Sequence, residues 1–410
     1  MHETSLFLPI IILLGVSSAI CLVVSLLKFR LLPTFVFEVI AGIALGPIFI
    51  KYFKDHNFEQ MINFLYVIGF SMIMFLSGYD ANLKLFKDKR KNTKTHINIV
   101  RTSIFIIVMI YIVGLIASLL FIKEFDKVAL GIILLTITFS STFAGVVAPL
   151  ISVEHLHGTY WGKFVVTFSF LNELISVVLL TIFMVANNIS INNLIGYLII
   201  IGIFFLMYLI LKIRRGRRIE EGMVFFSTKI IIVALAASVY FSELGGGEYV
   251  LGAFLLGFFL RLVKLNHHKM KYLEAIGYGM FIPMFFVTLG MKIDIVHIFA
   301  HPNMILMALL LFAAFMVVKL PLLYLFNWYR KGTVFTTIAL ASVTLVVAAT
   351  AEHLGVHYEI FSHEFGQSLL LAAVLTTIIG PLVFEISCFG PLRHLRAQER
   401  AINYEDIELS

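Results

Sequence analysis

The sequence predicts an all-α polytopic membrane protein with about 13 transmembrane helices. Hydrophobic residues make up 60% of the 410 positions and charged residues only 13%, far below the charged share of a soluble domain. Apolar runs of roughly 18–25 residues recur along the whole chain, and a helix needs about 20 such residues to cross a bilayer. The two cysteines, Cys21 and Cys388, do not indicate a disulfide framework.

Each predicted span is one of these apolar runs. The first run is too long for the core of a removable signal peptide and has no basic region before it. In chain order, the predicted limits are 6–27, 32–50, 61–80, 97–121, 128–151, 163–186, 192–212, 223–242, 248–265, 273–293, 303–327, 333–353 and 367–388.

The placement of lysine and arginine orients these spans. With the N-terminus outside, 24 of the 31 basic residues lie in inside loops and five in outside loops, while Lys229 and Lys319 fall within spans. Cytoplasmic loops are enriched in basic residues. We therefore expect a multi-pass protein of the cell (plasma) membrane with its N-terminus outside and its C-terminus in the cytoplasm.

A basic run at 212–218 separates two sets of six spans, an arrangement that fits an inverted repeat. We expect one transmembrane antiporter-like domain over 1–388, with halves at about 1–186 and 223–388, a linker helix at 192–212, and a short cytoplasmic tail at 389–410. This tail is too short for a nucleotide-sensing domain, so we expect any cytoplasmic regulator to be a separate protein.

Glu173 lies near the middle of the sixth predicted span, beside Asn172. A charge at bilayer depth is costly and is retained mainly where it is paired, neutralised or used in transport. Burial favours the neutral form of a carboxyl, so a proton can compete with a metal cation there. Asn172 adds a neutral amide oxygen that suits Na⁺ or K⁺. The alternative is a protonated glutamate that only forms a hydrogen bond between helices.

The fifth predicted span contains a cluster of hydroxyl side chains, Ser140, Ser141 and Thr142, followed by Gly145 and Pro149. Glycine and proline loosen a membrane helix, and hydroxyls can satisfy the backbone groups that are released. An unwound segment here would offer carbonyl and hydroxyl oxygens to an ion. The alternative is a face of small residues that packs against a neighbouring helix.

Lys319 lies deep in the eleventh predicted span, more than two turns before Arg330. It could pair with an acid, cap the carbonyls of a broken helix, or snorkel to the inner surface. In the twelfth span Ser342 and Thr344 would mirror the hydroxyl cluster of the fifth span if the repeat is real. No glycine or proline interrupts this segment, so the sequence shows no break there.

Five segments together resemble the second monovalent cation:proton antiporter family, which includes bacterial sodium/proton antiporters and glutathione-gated potassium efflux systems. They are Phe37 to Pro47 (FEVIAGIALGP), Phe75 to Leu83 (FLSGYDANL), Phe139 to Pro149 (FSSTFAGVVAP), Phe285 to Asp294 (FFVTLGMKID) and Leu375 to Pro381 (LTTIIGP). The resemblance covers essentially the whole membrane part in the same order.

The resemblance implies a sodium/proton antiporter fold with a dimerisation domain, a mobile core domain and two crossing discontinuous helices, and it implies a homodimer. The carboxylate motif of the family falls on Asn172-Glu173, where many members have Asp-Asp or Gln-Asp. The basic residue of the core matches Lys319, which pairs with the first aspartate in members that have two. The Gly-Glu pair frequent in the twelfth span is replaced here by Ser342 to Thr344.

The resulting hypothesis is a transporter, not an enzyme, that exchanges Na⁺ or K⁺ for protons by elevator-type alternating access and serves pH homeostasis. Glu173 would bind either ion, Asn172, Ser140, Ser141 and Thr142 would complete the oxygen shell, and exchange would be electroneutral. We expect no cofactor and no nucleic acid partner. The alternatives are a cation-coupled organic-solute or anion carrier, and a membrane sensor that does not transport.

Overall fold

The computed structural model describes residues 7–26, 33–52, 56–80, 99–154, 156, 158–187, 202, 223–244, 249–262, 267–327, 329 and 331–389. Regular structure in these ranges is helical, apart from an isolated antiparallel bridge between Phe125 and Phe361. The α-helices are α1 (Phe7–Leu26), α2 (Thr34–Tyr52), α3 (His56–Asp80), α4 (Ile99–Leu119), α5 (Val128–Ser140), α6 (Ala144–Val153), α7 (Tyr160–Asn187), α8 (Met223–Leu244), α9 (Tyr249–Leu262), α10 (His267–Ile276), α11 (Ile282–Met291), α12 (Ile295–Ala300), α13 (Pro302–Val318), α14 (Lys331–Ala341), α15 (Leu345–His357) and α16 (His363–Phe389).

The apolar helices confirm the predicted fold class. Within the described residues, eight helical spans are long and apolar enough to cross a membrane, and four shorter apolar helices accompany them. These twelve coincide with twelve of the thirteen predicted spans. The seventh predicted span, 192–212, lies outside the described residues apart from Gly202, as does the predicted tail after Phe389.

The helices divide into two compact units. Unit 1 contains Met1–Leu27, Phe37–Ala81 and Leu180–Ile293, and unit 2 contains Lys28–Val36, Asn82–Leu179 and Asp294–Ser410. Unit 1 therefore holds α1, α3, α8 to α11 and most of α2. Unit 2 holds α4 to α6, α12 to α16 and most of α7.

In unit 1, glycine allows the closest helix contact. Gly78 of α3 lies against the backbone of Phe254 in α9, and Gly257 of α9 lies against the backbone of Phe75 in α3. A Cβ atom at either glycine would overlap main-chain atoms, so the two helices pack backbone to backbone. Glu38 is also buried here, and its Oε1 accepts a hydrogen bond of 2.8 Å from Ser17 Oγ.

In unit 2, two of the long spans are interrupted near their middle. The fifth predicted span consists of α5 and α6, and the twelfth consists of α14 and α15. The span formed by α14 and α15 is 94% buried, whereas the span formed by α4 is 39% buried. The interrupted span therefore lies in the interior of the unit, where unpaired backbone groups need protein partners.

Candidate functional site

The two interruptions, residues 141–143 and 342–344, bond to each other. The amide of Phe143 donates to the carbonyl of Val343 at 2.7 Å, and Thr142 Oγ1 donates to the carbonyl of Ala341 at 2.6 Å. The hydroxyls of Ser141 and Thr344 also form a hydrogen bond. Helix ends leave N–H and C=O groups without partners within the helix, and here each break supplies partners to the other.

The break in the twelfth span was not visible in the sequence. Neither glycine nor proline occurs between α14 and α15, yet Thr344 leaves the helical conformation with φ −144° and ψ 39°. The backbone groups released at Ala341 and Val343 are satisfied by the first break. A tertiary contact thus stabilises a conformation that local sequence does not specify.

Glu173 lies on α7, 1% exposed, beside the start of α6. Its Oε2 accepts a hydrogen bond of 3.0 Å from the amide of Ala144, the first residue of that helix. The N-terminus of a helix carries a partial positive charge, which favours a carboxylate there. The break in the fifth span therefore creates the positive helix end that holds Glu173.

Lys319 is fully buried where α13 gives way to a short 3₁₀ segment, Leu320–Asn327. Its Nζ donates to the carbonyls of Ser140 and Ser141 at 2.6 and 2.7 Å, and lies 3.4 Å from Thr142 Oγ1. The two carbonyls belong to the C-terminal end of α5, which carries a partial negative charge. Of the three roles considered for this lysine, these contacts correspond to capping the carbonyls of a broken helix.

The amide of Asn172 has a defined orientation. Its Nδ2 donates to the carbonyl of Ser140 at 2.6 Å and to Thr142 Oγ1 at 2.9 Å. A carbonyl can only accept, so the atom facing Ser140 must be the nitrogen. The other end of the amide, Oδ1, is buried, and none of the described residues gives it a hydrogen bond.

Thr142 connects the two breaks rather than pointing an unused oxygen at the site. Its hydroxyl donates to Ala341 and accepts from Asn172 Nδ2, with Lys319 Nζ nearby. A hydroxyl has one proton and two lone pairs, so these contacts occupy its bonding capacity. We had predicted Thr142 as a cation ligand, and this arrangement favours a bracing role for its side chain.

The other predicted hydroxyls bond mainly to backbone. Ser140 Oγ donates to the carbonyl of Ile110 at 3.5 Å, and Ser141 Oγ donates to the carbonyl of Thr138 at 2.8 Å. Ser342 Oγ donates to the carbonyl of Ile338, one turn back, at 2.8 Å. All of the predicted site residues come together in unit 2, but these hydroxyls stabilise the breaks.

Sequence reasoning missed Ser169. It is completely buried on α7, one turn before Glu173, and its Oγ has no hydrogen-bond partner in the part of the chain that the structure describes. Thr138 and Ser176, which are equally buried, donate to the carbonyl one turn back at 2.7 and 2.8 Å. The signal in the sequence was the helical spacing that places Ser169 on the face of Asn172 and Glu173.

This paired-break geometry has counterparts among known proteins. A family model described as "Sodium/hydrogen exchanger, transmembrane" matches residues 14–389. The chain belongs to this family. This confirms the resemblance to monovalent cation:proton antiporters and, with the apolar helices, the prediction of a multi-pass membrane protein.

Individual members of the family are moderately similar. "Putative Na(+)/H(+) antiporter YjbQ" of Bacillus subtilis is 28% identical over 87% of this chain, and the chain spans 59% of that protein's length. "Probable Na(+)/H(+) antiporter 3" of Methanocaldococcus jannaschii is 25% identical over 89% of this chain and 93% of its own length. The solved structure of the sodium proton antiporter MjNhaP1 from M. jannaschii matches with a TM-score of 0.67 and 15% identity, covering 97% of this chain and 99% of that one. This last similarity shows a shared fold.

Proposed function

We propose that this protein is a secondary active transporter that exchanges Na⁺ for protons, with Glu173 as the shared binding group. The observation that carries this proposal is the arrangement on α7. There a buried carboxylate held by the α6 N-terminus lies on the same helix face as two buried oxygen atoms without described partners, Asn172 Oδ1 and Ser169 Oγ. The antiporter names of its relatives agree with this activity.

Competition at one carboxylate couples the two ions. A buried carboxylate without a counter-charge is costly, and either a proton or a monovalent cation removes that cost. Because both neutralise the same group, one must leave before the other binds. The loaded forms are then the ones that cross the membrane readily, which gives exchange and suppresses leak.

The cation ligands follow from the unused oxygen atoms. Sodium and potassium prefer hard oxygen ligands, and Glu173, Asn172 Oδ1 and Ser169 Oγ are all oxygen donors on one face of α7. Asn172 is held with Nδ2 against Ser140 and Thr142, which keeps Oδ1 available for a cation. We assign these three side chains to the cation site and assign Thr142 to the brace.

Lys319 supports electroneutral exchange of one cation for one proton. Its ammonium group is bonded to the C-terminal carbonyls of α5 at 2.6 and 2.7 Å. Those carbonyls are present whether or not Glu173 carries a load, so the lysine has a constant partner. In this proposal Glu173 is the group that changes its charge during the cycle.

The transport mechanism that we propose is elevator-type alternating access. All the residues assigned to the site, and both interrupted spans, belong to unit 2. The unit that carries the ion is thus complete in itself. A cell-membrane location with the N-terminus outside, a homodimer, a separate cytoplasmic regulator and transport of K⁺ also remain proposals.

The test is cation-induced pH change in proteoliposomes, with Na⁺, K⁺ and Li⁺ added in turn. We expect Glu173→Gln to abolish exchange, because a neutral amide cannot alternate between a proton and a cation. Glu385→Gln is the matched control, since Glu385 is another buried carboxyl in unit 2. We expect this variant to transport like wild type.

Two results would contradict the proposal. Exchange retained by folded Glu173→Gln would remove Glu173 from the site. Steady-state turnover that depends clearly on membrane voltage would exclude electroneutral exchange. If wild-type protein moved no cation but took up a labelled organic solute along a sodium gradient, the solute-carrier alternative would replace the antiporter.

A further inference from the structure

A hydrogen-bonded chain leads from α4 to the backbone of Asn172. Tyr111 of α4 is half-buried, and its hydroxyl lies 2.9 Å from Ser176 Oγ on α7. Ser176 Oγ donates to the carbonyl of Asn172, one turn back, at 2.8 Å. A serine hydroxyl has one proton, and Ser176 uses it on Asn172. Tyr111 must therefore be the donor to Ser176, and the chain runs from Tyr111 through Ser176 to Asn172.

The same part of α4 also contacts the first break. Ser140 Oγ donates to the carbonyl of Ile110, the neighbour of Tyr111, at 3.5 Å. Gly114, one turn further along α4, has no side chain where the Ser140 hydroxyl packs, and a Cβ there would collide with it. The carbonyl of Ser140 is in turn the acceptor that orients Asn172 Nδ2. Helix α4 thus holds both the backbone and the amide partner of Asn172.

We propose that Tyr111 is a positioning residue of the cation site, an inference that rests on the proposed function. A hydroxyl that donates to the carbonyl one turn back competes with the helix's own hydrogen bond and tends to bend the helix at that turn. Here this is the turn from Asn172 to Ser176. By donating to Ser176, Tyr111 fixes that hydroxyl in place, and with it the direction in which Asn172 Oδ1 and Glu173 leave the helix.

The test is Tyr111→Phe, which removes one hydroxyl and leaves the ring. We expect the apparent KM for Na⁺ to rise about fivefold, the change that loss of one hydrogen bond of ordinary net strength produces. The maximal rate should stay within about twofold. Because protons compete with a weakened cation, the pH needed for half-maximal exchange at fixed Na⁺ should rise.

Two further variants keep this test specific. Ser176→Ala should raise KM similarly, and the double variant should be no worse than the worse single variant, because both changes break the same chain. Tyr324→Phe is the matched control, an exposed tyrosine of the same unit at 46% exposure. It should leave KM unchanged.

The outcomes separate this inference from the proposed function. If Glu173→Gln is inactive but Tyr111→Phe and Ser176→Ala have the wild-type KM, the positioning role is overturned and the antiporter assignment stands. A lower thermal stability with unchanged KM would show a purely structural role and also overturn it. If folded wild-type protein exchanges no cation, the proposed function fails and the inference fails with it.

Discussion

The first break, between α5 and α6, differs from the second, between α14 and α15, in the side chains around it. The ends of the first break are held by a buried lysine and a buried glutamate, with Lys319 on the carbonyls of Ser140 and Ser141 and Glu173 on the amide of Ala144. The described partners of the second are groups of the first break, the Phe143 amide and the hydroxyls of Ser141 and Thr142.

This difference assigns the two breaks different roles. Opposite charges at opposite half-helix ends create a place where an ion can be exchanged, because helix termini stabilise buried charge. The second break supplies acceptors that hold the first break open. Pseudo-symmetric backbone geometry therefore does not require symmetric chemistry, and variants at the two breaks should behave differently.

The largest effect is expected from Lys319→Met. This change leaves two buried carbonyls without their charged donor, and each charge-assisted hydrogen bond contributes about 1.5–3 kcal/mol. Part of this loss is offset because burying the lysine itself is costly. We expect a net destabilisation of about 3 kcal/mol, measured as a lower unfolding temperature in detergent, together with loss of exchange.

Lys229→Met provides the control for the lysine prediction. Lys229 also lies within an apolar helix, but its side chain is exposed. Its replacement should leave both the unfolding temperature and exchange close to wild type. Equal unfolding temperatures for the Lys319 and Lys229 variants would show that the first break does not depend on its lysine.

A smaller effect is expected from Thr142→Val, which removes the hydroxyl that joins the breaks. The carbonyl of Ala341 and Nδ2 of Asn172 each lose a buried partner, and we expect about 2 kcal/mol of destabilisation with slower exchange. Ser342→Ala is the matched change at the second break. Its hydroxyl bonds mainly within its own helix, so we expect less than about 1 kcal/mol.

Thermal unfolding of the two hydroxyl variants side by side checks this ranking. If Ser342→Ala were the more destabilising of the pair, the second break would carry its own stabilising contacts. It could then no longer be described as a support for the first break.

The smallest effect on stability is expected from Ser169→Ala. Because the structure gives this hydroxyl no described hydrogen-bond partner, its removal should change the free energy of unfolding by less than about 0.5 kcal/mol. The apparent KM for Na⁺ should nevertheless rise severalfold, since a cation ligand is lost. Parallel unfolding and transport measurements decide this, and an unchanged KM would remove Ser169 from the site.

Much of the fold could be predicted from the sequence, because a bilayer imposes a strong and local rule. Twelve of the thirteen predicted spans coincide with apolar helices of the structure. The first break was also indicated locally, by the hydroxyl cluster with Gly145 and Pro149. Glu173 and Lys319 were singled out because charge at bilayer depth is rare.

The partners of these residues could not be predicted. Lys319 bonds to carbonyls 178 and 179 positions away, and the second break is satisfied by groups about 200 positions away. Ser169 became a candidate only when burial showed that its hydroxyl lacked a described partner. The sequence by itself determined which segments cross the membrane and which charges lie within it, because both follow from hydrophobicity along the chain. The tertiary structure decided where the second helix breaks and which oxygen atoms are left for a cation, because those depend on hydrogen bonds between groups distant in sequence.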